Sequence, residues 1–564
     1  MSIIGVISGW TMPSKIQRCS LLVRLAIVIA ALASLELETQ AENAPAFLWA
    51  KQGVTTNGAN AYRVAVDASG SVFVAGSFRG RLDLGSTNLV SHGYYFHGAF
   101  VSTLDDIFVA KYDKNGAVLW ARSAGGDGDD HAVGMALDTG GNCYLTGSFQ
   151  DIADFGGFSI TNTFTGNSGG LFLAKYDAQG NVLWVRKATG QSVGGSGVAL
   201  APQGNIFVTG TFAQTAVFEN LSISTPPAVN IFVAKFDSSG IPLWVRQASP
   251  NSFGYGVDVA ADRSGNCYIT GFYNTTATFG GVTLIASTNA TGIFLVRYDP
   301  NGNVVWARQG AGPRPSGGSV SDAGEGVGVD LLGNVYLSGV FSGVITFDRF
   351  TLTNVGGTDI FLAKYNSLGN VLWLRQGGGA GDEWTHFSAV DSSGDVYLTG
   401  NFHSDPITFD GSSFTNSGNY GLYLAKYDSA GNFRGLVQCG GKAGYNMSFA
   451  TAVDGLGNSY MAGTIASTSG LFGTNTLSSG SGNSTFFVAK LEPFPPTLNV
   501  KQSPAGVVFG WPLWAKNYEL ESTASVPAIG AWSPVTNGPS AVDGENVVTN
   551  ANTNPMSYFR LRRQ

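Results

Sequence analysis

One hairpin recurs along this chain. "AKYDKNGAVLWARSAG" from Ala110, "AKYDAQGNVLWVRKATG" from Ala174, "AKFDSSGIPLWVRQAS" from Ala234, "VRYDPNGNVVWARQGA" from Val296 and "AKYNSLGNVLWLRQGG" from Ala363 each read as two strands around a Gly-containing turn. Self-similarity at a fixed period demands a repeat architecture, because one such unit cannot bury its apolar face alone. Three pieces define the unit. A strand ending in Gly appears seven times, as "FVAG" at Phe73, "YLTG" at Tyr144, "FVTG" at Phe207, "YITG" at Tyr268, "YLSG" at Tyr336, "YLTG" at Tyr397 and "YMAG" at Tyr460. The "FVAKYD" strand also appears seven times, marked by Lys111, Lys175, Lys235, Arg297, Lys364, Lys426 and Lys490. The "LWxR" strand carries Trp49, Trp120, Trp184, Trp244, Trp306 and Trp373, with Gly435 in the remaining slot, at spacings of 71, 64, 60, 62, 67 and 62 residues.

The phase of the array matters more than the count. The first Trp strand, Phe47–Gly53, precedes every other piece, whereas the last "FFVAKLE" runs into "PFPP" with no Trp strand after it. A closed ring explains this offset, since an N-terminal strand can complete the last unit and remove the exposed sheet edges. The expectation is an all-β fold: a seven-bladed β-propeller over 42–492, closed by its N-terminal strand. In each blade a Gly-, Ala- and Ser-rich inner strand turns through "DxxGN" (Asp67, Asp138, Asp262, Asp330, Asp391 and Asp454, with Pro202 read as the substitute) into the "YLTG" strand. Asp opens such turns by accepting main-chain N–H groups and Gly takes the positive φ. The Trp residues are expected to be structural wedges between blades.

This pattern, "DxxGNxYxTGxF…FxAKYDxxGNxLWxRQ", resembles the bacterial β-propeller repeat often called SBBP, over about residues 46–492. The resemblance implies an exported protein and no particular reaction. "AKYDxxGNxLW" is also similar to the docking motif of quinoprotein propellers that bind pyrroloquinoline quinone. Those have eight blades and an adjacent cysteine pair, which the seven-fold count and the separate Cys19, Cys143, Cys267 and Cys439 do not match.

The two ends read differently. Lys15, Arg18 and Arg24 precede the apolar run Leu25–Leu35, and "TQA" ends at Ala41, so residues 1–41 are read as a secretory signal peptide. Its removal leaves 28 cations against 36 acids, a charge of −8 that argues against nucleic acid as partner. No later stretch reads as membrane-spanning. Residues 493–564 begin with the stiff "PFPP" linker and continue as short strands such as "GVVFGWP" and "SYFRLRR", the pattern of a small β-sandwich-like domain. Cys143 and Cys267 share one slot and are expected as small buried strand residues, with no disulfide framework.

Function is sought in loops at one end of the channel. Eight residues before the inner-strand Asp stand Ala59, Asp130, Gly194, Gly254, Asp322, Glu383 and Asn446, which would ring one mouth. His131, Tyr255 and Trp384 follow in their loops, so Asp130, His131, Tyr255, Asp322, Glu383 and Trp384 are the candidate ligand contacts. Asp127, Asp129 and Asp130 in "GGDGDDH" could hold Ca²⁺, and no other cofactor is expected. The loops between "TG" and "AKY", notably 79–106 and 150–170, are expected to vary freely as a recognition surface. Of the remaining histidines, His92, His97, His386 and His403, the first two flank "GYYF" at a five-residue spacing that is a poor metal signature, and they are read as exposed loop histidines. No nucleophile elbow, HExxH or Walker loop occurs. The resulting expectation is a monomeric, exported, non-enzymatic scaffold for a protein or polysaccharide. The alternative is a propeller lyase or glycosidase using Asp130, Asp322 and Glu383, or a quinoprotein-like oxidoreductase.

Overall fold

A computed structural model describes residues 4–7 and 44–563, apart from 97–98, 165–168, 249–252, 288–289, 314–321, 417–420, 442–443, 467, 480–482, 497 and several short stretches of 504–555. Most of the segment read as a signal peptide, and His97, lie outside the described residues. The described residues are all-β, with one 3₁₀ turn among them at Pro202–Gly204. The chain divides into two compact units, the larger spanning 47–454 and 458–491.

In the larger unit the described strands form seven four-stranded antiparallel repeats. The first contains, from the inside outward, Ala59–Val66, Val72–Arg79, Asp105–Tyr112 and Val118–Gly126. The second starts at His131–Leu137 and the fourth at Gly254–Ala261; the fifth, sixth and seventh start at Ala323–Val329, Glu383–Val390 and Asn446–Val453. Val182–Leu200 is continuous, forming the outer strand of the second repeat and the inner strand of the third. The inner strands touch one another in chain order, and the last touches the first. Phe47–Gln52 pairs with Thr485–Leu491 and so supplies the outer strand of the seventh repeat from the other end of the unit. This is the arrangement of a β-propeller.

Each inner strand carries a β-bulge at the same height, where the pairing skips Tyr62, Val133, Ser196, Val257, Glu325, His386–Phe387 or Phe449. The close approach beside the bulge explains the Gly of "YLTG". A Cβ at Gly147 would stand 1.8 Å from the His131 carbonyl oxygen, and one at Gly400 would stand 1.9 Å from that of Trp384. Only a residue without a side chain fits there.

Neighbouring repeats are joined at their outer strands by the Trp residues. Trp120 Nε1 donates to the Ala178 carbonyl, Trp244 to Pro300 and Trp306 to Ser367, each at 3.1 Å and each in the turn of the following repeat. The arginine two residues on donates to the same turn: Arg122 Nε to Gly180 O at 3.0 Å, Arg246 Nε to Gly302 O at 3.0 Å. The turn glycine lies flat under the ring. At Gly180 (φ +81°) a Cβ would meet Trp120 at 2.7 Å, so both the backbone angle and the space require Gly.

Gly435 and Val437 replace this Trp and Arg in the sixth repeat. The reason lies one repeat on. The seventh repeat takes its outer strand from the N-terminus, so it has no hairpin turn to receive an indole or a guanidinium.

Two expectations need correction. The turn residue of the third repeat is Ala201, whose N–H donates to Asn205 O at 2.9 Å, and not Pro202. Val193, with its N–H on Gly169 O at 2.8 Å, therefore takes the slot assigned to Gly194. The loops between "TG" and "AKY" are also more regular than expected. Most of each is a second hairpin, such as Ile152–Asp154 with Ser159–Thr161 or Val344–Phe347 with Phe350–Thr353. These bury Phe155, Phe218, Phe279, Phe347, Phe409 and Phe472. Several pair with the outer strand of the preceding repeat, as Ala153 does with Gly126 and Phe409 with Gly377.

The smaller unit comprises 1–46, 455–457 and 492–564. Two four-stranded sheets, one containing Gly506–Pro512 and the other Met556–Arg563, share a core of Leu498, Phe509, Trp511, Leu520, Val548 and Phe559. Ile4–Ile7 pairs with Met556–Arg563. Glu521, 2% exposed, binds Arg560 Nε at 2.7 Å and Arg562 Nη1 at 3.2 Å.

Candidate functional site

The acids expected at a channel mouth are inside the protein. Asp130 and Glu383 are 0% exposed and Asp322 is 3% exposed. Each holds the chain as it leaves the second strand of its repeat. Asp130 Oδ1 accepts from Gln150 N at 3.0 Å, Asp322 Oδ1 from Ser342 N at 2.9 Å and Glu383 Oε1 from Ser404 N at 3.2 Å. Asn446 does the same for Ala466 N at 3.3 Å. The spacing of 20 or 21 residues recurs because the clamp is part of the repeat. The sequence places these side chains in one slot, but their burial comes from the hairpins folded over them.

Burial pushes Asp130 up to about 8; the N–H groups of Gln150 and Gly126 pull it back, and the Asp106 charge adds to the rise. Asp129 Oδ1 accepts from Asp105 N at 3.0 Å and lies 3.5 Å from Arg79 Nη2, while Asp127 is exposed. Asp130 Oδ2 accepts from Gly126 N at 2.9 Å. Among the described residues no group of three or more His, Cys, Asp or Glu is placed to hold a metal ion.

The channel axis carries the mixed chemistry instead. The bulges bring Tyr62 and Phe449 to a ring separation of 5.3 Å, and His386 and Phe449 to 5.2 Å. His386 Nδ1 stands 3.9 Å from Glu325 Oε2. Arg63, 8% exposed, reaches across from the first repeat: its guanidinium lies 3.1 Å from the centre of the Phe387 ring, and Nη2 donates to Ser196 O at 3.1 Å. Burial pulls Arg63 down to about 10 against the opposing charges of Asp258 and Glu325. Asp258 is itself pushed up to about 6 by burial, with Arg63 opposing, and it accepts Val327 N–H at 3.0 Å.

Tyr255 packs between Phe253 and Phe272 at centroid separations of 5.3 and 5.1 Å, and Phe253 is 43% exposed. Trp384 meets His403 edge-on at 5.3 Å. Tyr255, Trp384 and His131 are all half-buried.

One pairing escaped the sequence. His92 Nδ1 lies 2.7 Å from Oδ2 of Asp106, which also accepts the His92 main-chain N–H at 3.2 Å. Asp106 is buried while the His92 side chain is 52% exposed. Burial lifts Asp106 to about 6, with His92 pulling it back.

No protein-family model matches the chain. An uncharacterized WD repeat-containing protein of Acanthamoeba polyphaga mimivirus is 25% identical over 465 residues, covering 68% of this chain and 32% of the relative. The chain thus spans about a third of that protein's length. Among solved structures, a puromycin hydrolase matches with a TM-score of 0.37 and 12% identity, over 81% of this chain and 59% of its own. A Bacillus licheniformis rhamnogalacturonan lyase matches with a TM-score of 0.21 and 10% identity, over 82% and 89%.

Proposed function

We propose that this chain is an exported seven-bladed β-propeller, closed by Phe47–Gln52 and followed by a small β-sandwich, that binds a polysaccharide or protein without turning it over. The carrying observation is the burial of Asp130, Asp322 and Glu383. A glycosidase of the common retaining or inverting kind needs two carboxyl groups facing the substrate at a set separation. These three face main-chain N–H groups, which supports a scaffold. Recognition falls to the half-buried aromatics at the rim, Tyr255 and Trp384, whose faces suit the C–H side of a sugar ring or an apolar peptide side chain. Affinity electrophoresis of the purified chain in gels containing neutral and acidic polysaccharides tests this. Retardation that is lost in Tyr255→Ala and Trp384→Ala, with unchanged melting, is the expected result; equal mobility of all three proteins in every gel removes the polysaccharide reading.

The His92–Asp106 pair favours a second reading, a polysaccharide-cleaving enzyme with His92 as a base oriented by a buried carboxylate. It requires release of reducing ends by the wild type and none by His92→Ala.

A further inference from the structure

The junction between the fifth and sixth repeats encloses two carboxyl groups with no cation opposite them among the described residues. Asp359 opens the strand Asp359–Tyr365 and Glu383 opens Glu383–Val390, and both are 0% exposed. The main chain draws them together, since Glu383 N donates to the carbonyl of Thr358 at 2.8 Å. Two consecutive glycines make the room. A Cβ at Gly378 would stand 2.2 Å from the Asp359 carboxyl carbon, and Gly379 N donates to Glu383 Oε2 at 2.9 Å.

Every donor to the two groups is neutral. Asp359 Oδ2 accepts from Val355 N at 3.1 Å and Gln376 Nε2 at 2.5 Å, and Glu383 Oε1 accepts from Ser404 N. Asp359 Oδ1 is buried with no donor. The titratable groups around them are Asp382, Asp405, His403 and Tyr423. Asp382 accepts the Thr358 N–H at 3.0 Å, Asp405 accepts from Asn416 N at 3.0 Å, and Tyr423 is within reach of the Glu383 charge. Of these described groups His403 is basic, and burial holds its imidazole down, toward the neutral form. Among the described residues no lysine or arginine is a main influence on either carboxyl. Two adjacent buried anions are untenable without a counter-charge, and the usual outcome is uptake of a proton.

We propose that the neighbouring buried carboxyls of Asp359 and Glu383 are held protonated at this junction, so that mild acid tightens the ring and alkali loosens it. Burial pushes Asp359 up to about 6, and burial together with the Asp359 charge pushes Glu383 up to about 7. In the unfolded chain the same groups titrate at their ordinary 3.8 and 4.5. The folded state therefore binds more protons between these limits. Its extra stability is fully present below the unfolded values and is lost as pH rises through 6 to 7.

Equilibrium unfolding of the full chain from pH 4.5 to 8.5, compared with Glu383→Gln and Asp359→Asn, tests this. For each proton held, the wild-type folded-to-unfolded ratio falls by up to about tenfold per pH unit through the window. Glu383→Gln flattens that slope and is at least as stable as the wild type at pH 8.5. An unchanged slope in both variants overturns the proposal. So does calcium that restores wild-type stability at pH 8.5 and is reversed by a chelator, because a cation would then fill the proton's place. Should either variant fail to fold, the infrared difference between the wild type and the other variant decides: Asp130, Asp106 and Asp258 also contribute a protonated-carboxyl band at pH 5.5, so a weaker band in the variant is expected, and an equal band in both refutes the proposal.

Discussion

The indole nitrogen of Trp49 donates to the main-chain oxygen of Lys114, 3.1 Å away and 65 residues further along the chain. The same bond joins consecutive repeats elsewhere, but here it runs from the seventh repeat to the first. Trp49 is 7% exposed and its ring covers Gly116, so packing and hydrogen bond coincide at the point where the ring closes.

Trp49→Phe keeps most of that packing and loses the bond, and is expected to lower stability by about 1 kcal/mol. Trp49→Ala also opens a cavity and is expected to lose about 3–5 kcal/mol. Urea unfolding monitored by far-UV circular dichroism measures both. Gly435→Trp, which places an indole where no turn awaits it, is expected to gain nothing.

Gln52 supports the same closure with a two-way contact, Nε2 to Ser478 O at 2.8 Å and Ser478 N to Oε1 at 2.7 Å. A chain lacking 42–53 leaves Thr485–Leu491 as a bare edge strand. It is expected to associate, and a synthetic peptide of residues 46–53 is expected to return it to the monomeric elution position. Size-exclusion chromatography with light scattering reports both outcomes.

Gly147→Ala places a methyl 1.8 Å from the His131 carbonyl oxygen. The second strand and the bulge cannot both persist, and a loss of about 3 kcal/mol or more is expected. Gly455→Ala, with nothing within 4 Å of the added carbon, is the matched control and is expected to change the midpoint little.

Asp138 illustrates the opposite pH behaviour to Glu383. Its carboxylate accepts from Gly140 N at 2.9 Å, Asn142 N at 2.9 Å and Asn142 Nδ2 at 2.8 Å, and these bonds, with Lys175 beside it, hold it below the ordinary carboxylate value despite its partial burial. The unfolded chain takes up the proton first on acidification. Its contribution is therefore present above the ordinary value of 3.8 and lost as pH falls further. Asp138→Ala is expected to lose about 1 kcal/mol at pH 7, with a gap that narrows in acid. Thermal melts at pH 7 and pH 3 check the sign.

The repeats, their phase and the closing strand were legible because each rests on a local pattern: alternation, an Asp–Gly turn, a Trp at fixed spacing. The bulges were not, since a skipped residue such as Val133 leaves no mark on composition, and its consequence, the Gly of "YLTG", looks like turn chemistry. The second hairpins were read as free loops because their strands are only three or four residues long, yet the recurring Phe155, Phe279 and Phe347 were a usable signal. One missing Asp shifted the third repeat by a residue, from Ala201 to Pro202. The clamp role of Asp130, Asp322 and Glu383 was the hardest to foresee, because a polar residue near a strand start reads alike whether water or backbone is its partner. His92 and Asp106 are 14 residues apart across an insertion, a distance at which sequence offers no geometry.

The contact between Thr485 and Gly53 spans 432 residues. A chain made from its N-terminus must therefore wait for nearly the whole propeller to emerge before Phe47–Gln52 meets its partner. During that interval both halves of the seam are vacant, and another copy's first strand can dock on Thr485–Leu491 as well as its own. Crowded synthesis or refolding at high concentration should then yield linked pairs of rings that have traded N-terminal strands. Such dimers would share every contact of the monomer and differ only in which molecule provides it, so they would persist once formed.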